Sequence, residues 1–426
     1  MSAGAASRDS GPSEEAYTSN EKRLIIAAAC LGWGLEFFDL MLVSFLAPQM
    51  IEEFGVSTGL FGAVFTTQLV ATAVGGVLFG WLADVYGRRR VLTWTILIFS
   101  ISTALVAFVP SIAWLFVLRF ITGLGTGGEW AVGFSLLNEA WAPRRRGLAG
   151  GIVQAALWPG FALGIFVSTV VPGWRWAFAI GLLPALAALW VRYYCPESKQ
   201  WLEYQRLREQ DQLPQELQEK GERTELWQIF GGDVLKLTVL GTVVVFGAQY
   251  SYYVYSSWMP TFLQGTLGYS SGQAANILYA SAAISFVAYI AAGYLGDLVG
   301  RRTALLSFAA VQLVAFALFA LLYASGAAPG TIVASYFLIS LGLGYFGIFG
   351  VWFGELFPTR IRASGSSFCY SVGRGVASIG PLIAGVLAAS YGLGGGISTG
   401  VLSVLLMIGT AVFMQDLKGR KIVAVE

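Results

Sequence analysis

Five ionisable side chains stand inside stretches that are otherwise apolar: Glu36 and Asp39, Arg119 and Glu129, and Arg374 within "FCYSVGRGVASIGPLIAGVL". A charge at the centre of a bilayer costs at least about 2.5–3.5 kcal/mol on insertion scales, so each needs a partner, a cavity or a ligand. Three acids face two bases. Fully ionised, the set carries one negative charge too many, and a low-dielectric site relieves the excess by binding one proton. The chain has no histidine, so that proton must sit on a carboxylate. Arginine offers the complementary chemistry, because a guanidinium fork matches a carboxylate. Proton binding and anion binding are the chemistries this set supports. No nucleophile–base pair, metal cluster or phosphate loop accompanies it, which argues against an enzyme and against any cofactor.

These residues must be positioned by membrane helices. The 426 residues are 56% hydrophobic and only 12% charged, and a spanning helix needs about 20 apolar residues. Twelve such runs are predicted, near 24–50, 58–80, 91–109, 112–138, 148–171, 174–195, 234–262, 272–294, 303–323, 330–356, 363–390 and 393–415. Residues 1–23 read as a polar, disordered tail without the order of a cleaved signal peptide, 196–233 as a linker that is partly amphipathic helix, and 416–426 as a second tail. Cys30, Cys195 and Cys369 have no paired spacing and read as small buried hydrophobes. Arg119 and Arg374 lie inside spans and Arg175 in a loop on the opposite side; all other Lys and Arg fall on one side, with both tails. The positive-inside rule makes that side cytoplasmic, and the compact loops suggest a bacterial inner membrane.

Depth follows from helical rise. Arg374 is about 16 Å above the basic end of its span, and Glu36 and Asp39 about 18 and 22 Å above theirs. Arg119 enters about 10 Å below the outer surface and Asp39 lies about 16 Å below it, so an Asp39–Arg119 ion pair is expected. Glu129 is deeper, after the small-residue run "GLGTGG". Arg374 has no acid within a turn, and small neighbours leave room for an anionic ligand. A permanent bridge to Glu36 or Asp39, or capping of backbone carbonyls, are the alternatives.

"GWLADVYGRRR" from Gly80 returns as "GYLGDLVGRR" from Gly293, and "NEAWAPRRRG" from Asn138 returns as "GELFPTRIRASG" from Gly354. The chain is therefore two homologous six-helix halves, 24–195 and 234–415, with a site expected at their interface. With "LFVLRFITGLGTGG" and "PESKQW" added, it resembles the major facilitator superfamily. Within that family "GGEW", "LEFFDLMLVSFLAP" and "ELFPTRIRASG" resemble proton-coupled importers of organic acids: aromatic acids, sialate, lactate and other metabolites. The resemblance implies an all-α fold of twelve helices in two pseudo-symmetric bundles, alternating access, a monomer, and an organic anion bound by Arg374.

The proton carriers expected are Asp39, then Glu36, then Glu129, with Arg119 tuning them. Substrate contacts besides Arg374 are expected from Gln249, Tyr252 and Tyr253 on the seventh span, Gln154 and Trp158 on the fifth, and Tyr345 on the tenth, whereas Tyr255 and Trp258 suit an interfacial aromatic belt. In the basic loops Asp84, Arg88, Arg89, Asp297 and Arg301, with Glu139 opposite Arg144–Arg146 and Glu355 opposite Arg360 and Arg362, form either a latch on one conformation or topology signals alone. The expected partners are a small organic anion, a proton and the bilayer, not nucleic acid. A facilitator or exporter without proton coupling is the rival within the same fold. A non-transporting sensor would need a signalling domain for which the loops leave little room.

Overall fold

A computed structural model describes residues 17–210, 212 and 226–416. Those residues are helical almost throughout, and the expectations for tail residues 1–16 and 417–426 and for linker residues 211 and 213–225 lie outside them. Length and apolarity alone pick out ten membrane-crossing segments. The fourth crossing, Ile112–Ala140, is not among them because Arg119, Glu129 and Glu139 dilute its apolarity. The segment Thr359–Ala411 counts as one there but holds two crossings, divided at Gly392, whose φ of 69° breaks the helix. The architecture is thus twelve crossings in two six-helix bundles.

The first three crossings are α1 (Ser19–Phe54), α2 (Thr58–Tyr86) and α3 (Arg88–Leu105), and the fourth is α4 (Ile112–Ala140). α5 (Pro143–Ala155) and α6 (Leu157–Val170) make the fifth, and α7 (Trp174–Ile180) and α8 (Leu183–Tyr194) the sixth. After the short α9 (Lys199–Glu209), the second half runs through α10 (Gly232–Thr261), α11 (Ser271–Val299) and α12 (Arg301–Ala324). Its tenth crossing is α13 (Pro329–Gly342) with α14 (Phe346–Leu356); α15 (Arg362–Ala377), α16 (Gly380–Ser398) and α17 (Gly400–Ala411) complete the last two.

α1 begins inside the expected tail. Thr18 accepts from the Glu21 N–H at 3.2 Å and the Glu21 carboxylate accepts from the Thr18 N–H at 2.6 Å, a capping box already legible in "TSNE". Just before it Tyr17 is buried, donating to Gln200 Oε1 at 3.1 Å and accepting from the Lys199 N–H at 2.7 Å. Burial, with Glu139 nearby, pushes the Tyr17 hydroxyl up, so it stays protonated and keeps donating. The "PESKQW" stretch docks here too: Trp201 donates to the Asp84 carbonyl at 2.9 Å and Gln200 to the Glu139 carbonyl at 2.9 Å. Cys195, Cys369 and the half-buried Cys30 are unpaired, and burial pushes the Cys195 thiol up to about 12, an inert structural cysteine.

Small residues set how closely the helices approach. A methyl added at Gly75 or Gly127 would strike the backbone of the facing α4 or α2. Between the halves, α2 packs on α15 and α5 on α11, related by the pseudo-twofold axis that exchanges the bundles. Gly293 lies against the Gly147 carbonyl and Gly80 against Ala363 and Ser367.

Candidate functional site

Glu36 lies at the middle of α1, and on the same face one turn earlier is Gly32. Asp39 follows, turned toward α3 and α4. Its Oδ1 and Oδ2 each lie 3.0 Å from Arg119 Nη1, Thr103 donates to Oδ1 at 2.5 Å, and Gln68 to Oδ2 at 3.2 Å. Arg119 also donates to Thr103 at 3.4 Å and its guanidinium sits 5.4 Å from the Phe178 ring centre. This ion pair, expected from depth alone, lies wholly inside the first half.

The second pair crosses between the halves. Arg374 Nη1 donates to Glu36 Oε1 at 2.9 Å and its Nε to the Tyr253 hydroxyl at 3.2 Å. Of the arrangements open to Arg374, the structure holds the bridge to Glu36. The guanidinium thereby binds a carboxylate at the interface, one that belongs to the opposite bundle. Glu36 Oε2 has no hydrogen-bond partner.

Glu129 is the remaining acid. It is 2% exposed, and neither carboxylate oxygen has a hydrogen-bond partner. Its carboxyl occupies the notch left by Gly32, where an added methyl would overlap Oε1. Glu129 and Glu36 are close enough to interact electrostatically. With Asp39 matched by Arg119 and Glu36 by Arg374, the unbalanced charge of the five-residue set falls on Glu129.

Aromatic rings surround the Arg374–Glu36 pair. On the basic side Trp130 of the first half stacks on Tyr370 of the second, with centroids 3.7 Å apart and planes 11° from parallel. Trp130 donates to Gln154 Oε1 at 2.9 Å, and Trp33 to the Gln154 carbonyl at 3.2 Å. Tyr253 pairs with Tyr252 on the second half. Trp158 reaches Tyr289 across the interface, and its indole N–H is buried without a partner. Gln249 is buried one turn before Tyr253 on α10.

Other expectations are corrected. Tyr345 is fully buried, sharing its hydroxyl between Ser251 at 3.0 Å and Gln312 at 2.9 Å, so it is a packing group within the second half. Tyr255 is not a belt residue: its hydroxyl bonds Ser281 and Ser340, and its ring stacks on Tyr336. Trp258 donates to the Pro381 carbonyl at 2.9 Å and packs on Gly385. Trp130, Tyr370, Thr103 and Gly32 are not among the site residues the sequence suggests, whereas Gln68, a polar residue in an apolar span, makes a helix–helix hydrogen bond to Asp39. The "GGEW" run pointed at Trp130, but a tyrosine four residues before Arg374 carried no signal until α15 was placed against α4.

At the basic face the halves are tied by two matching clusters. Arg88 bridges Asp84 at 3.0 Å and Glu139 at 3.3 Å, and Arg362 of the other half binds the same Glu139 oxygen at 2.9 Å. Arg301 bridges Asp297 at 2.6 Å and Glu355 at 3.1 Å, and Arg146 of the first half binds Glu355 at 2.9 Å. Each aspartate also accepts from N–H groups near the start of a helix in the opposite half: Asp84 from Ser364 at 2.9 Å, Asp297 from Gly147 at 2.8 Å and Leu148 at 2.9 Å. The expected partnerships within each loop are thus exchanged between the bundles. Arg89 stands outside, its N–H on Glu197 and its guanidinium on the Cys195 carbonyl, and Arg360 bonds Gln228. The turns preceding Arg88 and Arg301 depend on Gly87 and Gly300, at φ of 99° and 101°.

Two pseudo-symmetric bundles of membrane helices, tied at one face and holding buried charges at the interface, define a membrane transporter. The major facilitator family model matches residues 29–368 and 243–423, and the chain belongs to that superfamily. It is 30% identical over 388 residues to a Cupriavidus pinatubonensis protein named "Probable 4-methylmuconolactone transporter", covering 89% of this chain and 87% of that one. It is 29% identical to the cis,cis-muconate transport protein of Acinetobacter baylyi, covering 84% and 86%. The fold matches the proton:xylose symporter XylE with a TM-score of 0.79 at 19% identity, covering 95% of this chain and 98% of that one.

Proposed function

We propose that this transporter is a proton-coupled symporter that imports a small organic anion, a monocarboxylate with an apolar or aromatic body, by alternating access. The observation that carries this reading is the guanidinium of Arg374 at the interface, already engaged by a carboxylate and by Tyr253. Tyr253 touches it and Tyr252 and the Trp130–Tyr370 stack lie beside it, flat surfaces that favour an aromatic or apolar body over a sugar. The relatives named for muconate and a muconolactone support an organic acid.

The proton rides on an α1 acid. Asp39 stood first among the carriers on sequence grounds, but Arg119, Thr103 and Gln68 already satisfy both its oxygens, and protonation would break that set. Glu36 keeps one oxygen free and shares Arg374, so the role passes to Glu36. The basic face is taken as cytoplasmic, with both termini on it, in the inner or plasma membrane. The crossed clusters there are the latch of the conformation open to the other side, and the protein acts as a monomer.

The test is uptake of a panel of radiolabelled carboxylates into liposomes under an inward proton gradient. Wild type is expected to concentrate at least one acid, and Arg374→Ala to lose it. Uptake indifferent to the gradient would make the protein a facilitator or exporter. Transport of a neutral or cationic compound unaffected by Arg374→Ala would end the organic-anion reading.

A further inference from the structure

We propose that Trp158 is a second pole of the substrate site, whose indole N–H binds an uncharged acceptor on the substrate body. The substrate is then a monocarboxylate that also carries a hydroxyl, carbonyl or ring nitrogen away from its carboxylate. The inference rests on the organic-anion reading and narrows the chemical class of the anion. The fifth crossing places this ring. Pro159 has no N–H for the Ala155 carbonyl, and the crossing breaks just before it into α5 and α6, with Trp158 in the first turn of α6. There Trp158 meets Tyr289 of α11 with ring centres 6.2 Å apart, a contact between opposite bundles.

An indole N–H can only donate. That of Trp158 is buried with no hydrogen-bond partner among the described residues, whereas those of Trp33, Trp130, Trp174, Trp201, Trp258 and Trp352 all find an acceptor. A buried donor left unpaired carries a desolvation cost that an arriving acceptor removes. Tyr289 is buried too, and its hydroxyl enters none of the hydrogen bonds among the described residues. From this spot a wall of rings runs to the guanidinium. Tyr289 lies 5.9 Å from Phe346, Phe346 5.8 Å from Tyr252, and Tyr252 5.7 Å from Tyr253, centre to centre, and the Tyr253 hydroxyl accepts from Arg374. Tyr370 is within electrostatic reach of both Tyr289 and Arg374. A flat body laid along these rings with its carboxylate on Arg374 points its far end toward Trp158. Charge decides which acceptor fits there. α6, α11 and α14 carry no Lys or Arg, and Arg119, the other arginine inside a span, is committed to Asp39. A second carboxylate at the Trp158 end would be buried without a counter-charge, whereas a neutral acceptor needs only a neutral donor. Because the Trp158–Tyr289 contact joins the two bundles, a small displacement of one against the other opens the N–H to that acceptor.

The experiment measures dissociation constants of purified full-length protein for three kinds of aromatic acid. Benzoate and 4-methylbenzoate lack an acceptor on the ring, 4-hydroxybenzoate, nicotinate and isonicotinate carry one, and terephthalate carries a second carboxylate. Wild type is expected to bind at least one acceptor-bearing acid roughly threefold to tenfold more tightly than the acceptor-free pair, and terephthalate more weakly than that acid. Trp158→Phe should lose the preference and keep wild-type affinity for benzoate, which also reports that it is folded. Benzothienylalanine at position 158, with the shape of tryptophan and sulfur in place of the N–H, should give the same result with packing unchanged. If wild type binds the acceptor-free acids equally well, if the preference survives loss of the N–H, or if terephthalate binds best, the second pole is overturned while the organic-anion reading stands. If wild type binds none of the acids, that reading falls and the inference with it.

Discussion

Gly32 decides where the lone carboxyl sits. A methyl there would displace the flexible end of Glu129 and leave the α1 backbone in place, because the atom it meets is a side-chain terminus. Gly32→Ala is therefore expected to fold with near wild-type yield and melting temperature, and to reduce gradient-driven accumulation at least severalfold while exchange persists. A Gly32→Ala protein that accumulates normally would show that the position of Glu129 is indifferent to coupling. Trp130 is a second residue-scale test. It stacks on Tyr370 at the basic side of the proposed anion site, an aromatic pair worth about 0.5–1.5 kcal/mol beyond its area burial. Trp130→Ala is expected to weaken anion affinity roughly threefold to tenfold through that lost surface. Unchanged affinity would place the substrate away from the stack.

Between elements, the charge clusters behave as shared parts. Glu139 receives Arg88 from its own half and Arg362 from the other, so its loss leaves that buried cluster one negative charge short. Removing one member of a buried ionic set typically costs about 3–5 kcal/mol. Glu139→Gln should therefore favour the conformation in which the basic face is open, provided the cluster exists only in the closed one. Cysteines placed on the basic ends of α2 and α15 would then be alkylated faster in Glu139→Gln than in an otherwise identical protein. Because Arg146–Glu355 is the pseudo-symmetric equivalent, Glu355→Gln should act in the same direction and the pair of changes more strongly. Equal alkylation in all variants would reduce the clusters to topology signals.

Across the whole molecule, the two halves meet through α2 with α15 and α5 with α11, and the described hydrogen bonds joining them run from the basic-face clusters up to Arg374–Glu36. That distribution puts the Arg374–Glu36 pair at the upper end of the same interface that the crossed clusters tie at its lower end. On the proposed reading, seating of an anion at Arg374 and opening at Glu139 act on one equilibrium between two arrangements of the bundles. A substrate shifts it only by the difference in its affinity for the two.

The amino-acid sequence by itself determined the twelve spans, the duplication, the basic face and the inventory of buried charges, because each is a local or compositional property. Apolar run length, repeated loop motifs and the count of three acids against two bases need no knowledge of which helices touch. Even the Asp39–Arg119 pair was legible, since depth along two helices of one half limits the choices. The tertiary structure alone decided which residues meet across the halves: Arg374 with Glu36, Trp130 with Tyr370, Arg362 with Glu139 and Arg146 with Glu355. Helical periodicity tells which face a residue occupies but not which helix faces it. That depends on how small residues such as Gly80, Gly147 and Gly293 let the bundles approach. For the same reason Glu129 reads in sequence as one acid among three, and only packing leaves it as the one without a partner.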